Sequence, residues 1–205
     1  MVKRISIRLE APRRMRVRRW LGVIGLTLAM GGCEGVPPSL MQRPTAVLGG
    51  AIQVAGPLGY CADRGAGQQT ADTAVVLMGR CRAALTVAPA LITVSVGPAA
   101  SAGAMAAGGA ALTGYFLSEP GRAALSRDGR AGDVQVVAAV GVADAYLIHV
   151  VDRVAGEYWR AVLGVRGRLV TISANGAAGA PLDPSAGRKI VDATLVALRR
   201  ANPAP

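Results

Sequence analysis

The chain has 205 residues, 23 Lys and Arg against 12 Asp and Glu, and a formal net charge of +11. Its length fits one domain or two small ones, and one histidine with three cysteines supplies at most a single four-ligand zinc set. The charge does not indicate nucleic acid. Lys3, Arg4, Arg8, Arg13, Arg14, Arg16, Arg18 and Arg19 all precede the first apolar run, and from Cys33 onward fifteen basic residues stand against eleven acidic ones, a balance of +4. Such a balance, scattered and poor in aromatics, reads as a solvated surface and not as a phosphate-binding stripe.

The basic flank Arg13–Arg19 leads into the apolar run Trp20–Met30 and then Gly31-Gly32-Cys33. An apolar core of about eleven residues is too short for a spanning helix and has the form of an export leader. Met30-Gly31-Gly32-Cys33 resembles the lipobox of bacterial lipoproteins, with Met30 where that family usually has leucine. The resemblance implies that residues 1–32 are removed and that Cys33 becomes the lipidated, palmitate-type anchor at the membrane. Residues 33–45 then form a Pro-containing lipidated tether, and 46–202 a single globular domain. With Cys33 assigned to lipid, Cys61 and Cys81 form an even pair in an oxidising compartment, and a disulfide between them is expected. A zinc site there would need more ligands, and a catalytic cysteine would need a histidine partner.

Ala46–Ala55 reads as the first strand, closed by Gly56-Pro57, followed by the extended piece Leu58–Cys61. Ala62–Thr70 is polar and reads as a loop. Thr73–Gly79 is a nearly continuous apolar run, expected to be a strand buried on both faces. Leu91–Val96 alternates, with Leu91, Thr93 and Ser95 on one side and Ile92, Val94 and Val96 on the other. Gly97–Gly109 is Ala/Gly/Ser-rich and reads as a loop. A helical segment runs from Ala110, restarts at Ser118-Glu119-Pro120 and ends at Asp128-Gly129, with Leu112, Tyr115, Phe116, Ala123 and Ala124 as its inward stripe. Two hairpins follow: 133–138 with 143–151 across Val140–Val142, and 158–165 with 168–174 across Arg166-Gly167. Asp183-Pro184 caps a closing helix, Ser185–Arg200, with Ile190, Val191, Leu195 and Leu198 along one side.

Seven strands joined mainly by tight connections, with two helical segments to cover them, indicate an α+β fold. The expected form is an antiparallel sheet of about six to seven strands covered by helices as an αβα sandwich. Gly59-Tyr60-Cys61, Leu77–Cys81, Phe116–Arg122 and Glu157–Leu163, in this element order, resemble small alphaproteobacterial lipoproteins of unknown role. Their general architecture is similar to PsbP-like and DcrB-like periplasmic domains. The resemblance covers about residues 46–202 and implies fold and compartment, with no catalytic motif.

Candidate chemistry is sparse. The chain has no Gly-x-x-x-x-Gly-Lys-[Ser/Thr] loop and no EF-hand pattern. Ser101, in Ala99-Ala100-Ser101-Ala102-Gly103, followed by His149 offers a degraded hydrolase elbow that lacks its first glycine. Tyr158, Trp159 and Arg160 combine the residue types that dominate binding hot spots, although a strand tryptophan also fits a core. Arg122, Arg127 and Arg130 near Asp128 read as a solvated helix end. The expected function is a non-catalytic, lipid-anchored envelope domain facing the periplasm, of binding or assembly type. Its expected partners are the membrane and an envelope protein or small ligand, with no cofactor and no metal. The alternative is a small envelope hydrolase using Ser101 and His149.

Overall fold

The computed structural model describes residues 43–177 and 179–204. The leader, Cys33 and most of the tether lie outside the described residues. Two short strands, β1 (Thr45–Val47) and β2 (Ile52–Val54), pair antiparallel. The sequence reads as one strand here, but Gly49 and Gly50 take φ values of 66° and 90°, which cost glycine little because it has no Cβ. The chain therefore doubles back.

Next come β3 (Tyr60–Gln69), β4 (Ala74–Arg80) and β5 (Ala90–Val96). Residues 62–69, expected as a loop, belong to β3. From Asp63 on they form an outer strand exposed on both sides, where backbone pairing to β4 needs no apolar pattern. Residues 64–67 bulge between the Asp63–Leu77 and Gln68–Val75 pairs. β4 is buried on one face only: Ala74, Val76 and Met78 are inside, while Val75 and Leu77 are half-buried.

The stretch read as a featureless loop contains a 3₁₀ helix, Ser101–Ala107, followed by α1 (Gly108–Leu117) after a break at Gly108, whose φ is 79°. Ser118 then caps α2 (Glu119–Leu125), its hydroxyl accepting from the Gly121 N–H. A Cβ at Gly121 would overlap the Tyr115 carbonyl, so the α1–α2 corner requires glycine. Phe116 and Leu125 are buried, whereas Tyr115 and Ala124 point outward. The helix break after Leu117 turns the expected inward stripe.

The chain continues through β6 (Val134–Val142), β7 (Ala145–Asp152), β8 (Gly156–Val165), β9 (Arg168–Gly176) and α3 (Pro184–Ala201). The β6–β7 turn is Ala143-Asp144 and not Val140–Val142; those residues extend β6 and pair with β7. Arg166 and Gly167 connect β8 and β9 as read from sequence, both at positive φ, which matches the twist of a two-residue hairpin.

One seven-stranded sheet results, in the order β3-β4-β5-β9-β8-β7-β6 and antiparallel at every pairing. This is the α+β layering expected from the sequence. The connection from β5 to β6 leaves the middle of the sheet for its far edge, and the 3₁₀ helix, α1 and α2 are that connection. They cover one face over β6–β8 and the adjacent end of β9.

On the opposite face α3 and the β1–β2 hairpin close the larger core. Ile190, Val191, Leu195 and Leu198 recur at helical spacing and are buried against Ile92, Val94, Leu163 and Ile172. Each such side chain contributes roughly 1.5–3 kcal/mol on leaving water. Asp183 starts α3 by accepting from the Ser185 and Ala186 N–H groups. Asn202 ends it, its side chain bonding both the N–H and the C=O of Gln53 in β2. No helix among the described residues is long and apolar enough to cross a membrane.

Candidate functional site

Alternation along β8 sends the three hot-spot residues to opposite faces of the sheet. Trp159 faces α3, where its indole stacks on His149 with ring centroids 4.5 Å apart and Arg188 lies over it at 4.9 Å. Its Nε1 is buried and finds no hydrogen-bond partner among the described residues. Tyr158 and Arg160 face the other way. The Tyr158 hydroxyl donates to the Leu125 carbonyl at 2.5 Å. Burial raises its phenol above the ordinary value, opposed by the Arg160 charge. The Arg160 guanidinium lies 5.4 Å over the Tyr158 ring and donates to Ser173 Oγ at 2.9 Å and the Ala124 carbonyl at 3.2 Å.

Beside Arg160 the sheet is open. Because the helical connection covers only the β6–β8 side, β5 and β9 present a hollow of about 700 Å³, within the range of small-molecule sites. Its floor follows from strand register. Thr93 of β5 stands opposite Ser173 of β9, and Ser173 opposite Arg160 of β8; Ser95 stands opposite Thr171 in the next row. Leu125 and Arg127 form one wall, Val154 and Ala155 another.

Past Leu91 the open face continues into a second hollow of about 520 Å³, bordered by Arg64, Arg80, Arg82 and Asp63. The Cys61–Cys81 disulfide ties β3 to the end of β4 at this border, with Cα atoms 5.1 Å apart. It closes a loop with a sequence separation of 20 and contributes about 3 kcal/mol by restricting the unfolded chain.

The residue that shapes the groove wall is Asp152, at the end of β7, which the sequence reading did not single out. Its carboxylate is 1% exposed and accepts from the N–H groups of Arg127 at 2.9 Å, Val154 at 2.7 Å and Ala155 at 2.9 Å. Three lining residues thus hang on one carboxylate. Burial pushes its pKa up, but the backbone N–H bonds and the Arg127 charge outweigh that and leave it below the ordinary aspartate value. An aspartate just before a turn was the only sequence signal available.

The residues of the alternative hydrolase are not brought together. Ser101 Oγ donates to the Pro98 carbonyl at 2.6 Å and accepts from the Leu169 N–H at 2.8 Å, tying the 3₁₀ helix to β9. His149 pairs with Trp159 across β7 and β8, whereas Leu169 pairs with Gly164. Five strand residues, roughly 16 Å, separate the two positions. His149 Nε2 instead meets Glu157 Oε1 at 2.7 Å.

The described lining of the groove holds hydroxyls, an amide and two arginines, with no carboxylate or imidazole to serve as a general base. Among the described residues no group of three or more His, Cys, Asp or Glu could hold a metal ion. The groove can offer positive charge from its arginines and both donors and acceptors from its hydroxyls and amide. No protein-family model, curated protein or solved structure matches the chain.

Proposed function

We propose that the chain is a lipid-anchored envelope domain that binds a small organic anion in the open groove without catalysing a reaction. The observation that carries this reading is the distribution of unpaired positive charge. Arg64, Arg80, Arg82, Arg127 and Arg160 border the open face, and none forms an ion pair among the described residues. Elsewhere Arg130, Arg153, Arg168, Arg188 and Arg199 are each matched to an aspartate, whereas Arg43, Arg122, Arg166 and Arg200 form no ion pair among the described residues either, so the gathering of such arginines along one face is what marks the groove. Arginine recognises carboxylate and phosphate oxygens with two parallel N–H bonds, and the hydroxyl rows beneath suit a ligand with further hydrogen-bonding groups.

The anchor rests on the leader and on Met30-Gly31-Gly32-Cys33, which resembles a lipobox. The PsbP-like resemblance rests on element order and short segments, and would transfer architecture and no activity.

One preparation tests both parts. The chain purified from its native membrane should have the mass of a polypeptide beginning at Cys33 plus acyl chains. In detergent at low salt it should bind citrate calorimetrically, and Arg127→Gln and Arg160→Gln should each weaken binding about tenfold. Arg200→Gln, on the exposed end of α3, should leave it unchanged. Equal losses in all three variants would reduce the effect to bulk charge, and an unlipidated mass would remove the anchor.

A further inference from the structure

The two edges of the sheet are built differently. β3 protects its edge with Asp63, Arg64 and the bulge at 64–67. β6, the opposite edge, reads Val-Gln-Val-Val-Ala-Ala-Val-Gly-Val, with no charge and no proline, and no described strand pairs with its outer side. Val137, Val140 and Val142 are 51, 44 and 40% exposed. A long uncharged edge strand offers a line of unpaired N–H and C=O groups to another strand. We infer that β6 is the pairing edge of a two-fold homodimer in which two sheets join antiparallel into one.

Register supports a second copy of this chain as the occupant. A single-residue bulge at Val137 interrupts the β6–β7 ladder, and from Ala138 to Val142 the pairing is regular. Counted back from the two-residue turn, the alternation of an antiparallel ladder directs the backbone groups of Ala139 and Gly141 away from β7. A two-fold axis at Val140 places Ala139 of one copy opposite Gly141 of the other, so these outward groups satisfy one another. The same register sets Val140 against Val140 and Ala138 against Val142, all on the α3 side of the sheet. Identical uncharged strands meet without like-charge repulsion. The nearest charge, Asp144 in the turn, is already paired with Arg199.

Closure follows from the other edge. Because the charged, bulged β3 cannot accept β6 in register, head-to-tail growth into a filament is blocked and the contact ends at two chains.

Sedimentation equilibrium of the full chain in detergent should give twice the monomer mass, and Val140→Lys should raise the dissociation constant at least about tenfold with an unchanged far-UV circular dichroism spectrum. Oxidised Val140→Cys should form a covalent dimer that neither the wild type nor Val196→Cys, on the exposed side of α3, produces. A single-chain mass throughout, with no Val140→Cys cross-link, would overturn the inference. So would a dimer that survives Val140→Lys and cross-links equally through Val196→Cys.

Discussion

The two faces of the sheet share every backbone atom and differ in almost everything else. In β5 and β9, Ile92, Val94 and Ile172 point toward α3 and are fully buried, while their neighbours Thr93, Ser95 and Thr171 point into the groove and stay partly wet. Side-chain direction alternates with period two, so each strand writes two environments into one sequence. Where α3 lies across these strands the side chains are apolar; where no helix lies, hydroxyls stand beside Leu91 and, on β4, Val75 and Leu77. The apolar face holds the fold together, and the hydroxyl face is free to hold something else.

Three substitutions sharpen that contrast. The largest effect belongs to the α3 face. Leu198→Ala, at a side chain with no exposure, should cost about 2–5 kcal/mol in urea denaturation, because the lost transfer energy adds to a cavity. A loss below about 1 kcal/mol would mean that α3 is not integral to the core.

Asp152→Asn comes second, at about 2 kcal/mol near neutral pH, since an amide cannot accept from all three N–H groups as the carboxylate does. Its pH dependence has a definite sign. The folded pKa lies below the unfolded one, so the carboxylate contributes stability above the unfolded aspartate value of about 3.9 and loses it as pH falls through the folded value. The gap between wild type and variant should therefore close on acidification. A gap that stays constant would assign the cost to shape and not to charge.

The smallest effect is on the groove floor. Thr93→Val should move stability by no more than about 0.5 kcal/mol while weakening citrate binding, a separation that a purely structural floor would not produce.

How much was legible in sequence tracks the same contrast. The closing helix, the β8–β9 hairpin and β5 could be read because each has one face in a continuous apolar core, and burial imposes a period. β3 could not: its outer half is exposed on both sides, so only its hydrogen bonds to β4 define it. The Ser101–Ala107 helix was hidden in alanine and glycine, whose small side chains leave no periodic signal. Cys61 and Cys81 could be paired by count once the lipobox resemblance set Cys33 aside. Tyr158, Trp159 and Arg160 stood out by residue type, yet alternation splits them, and only Arg160 and Tyr158 reach the groove.

By itself, then, the sequence determined the composition of each strand face, the caps of α2 and α3 and the cysteine pair, because these depend on neighbours within a few residues or on chemistry that needs no geometry. Only the tertiary structure decided where the β5–β6 connection lies. That path leaves half of one sheet face uncovered, gathers Arg127 and Arg160 beside two rows of hydroxyls and puts an uncharged strand at one edge. Contacts between residues far apart in the chain set it, and no local period records them.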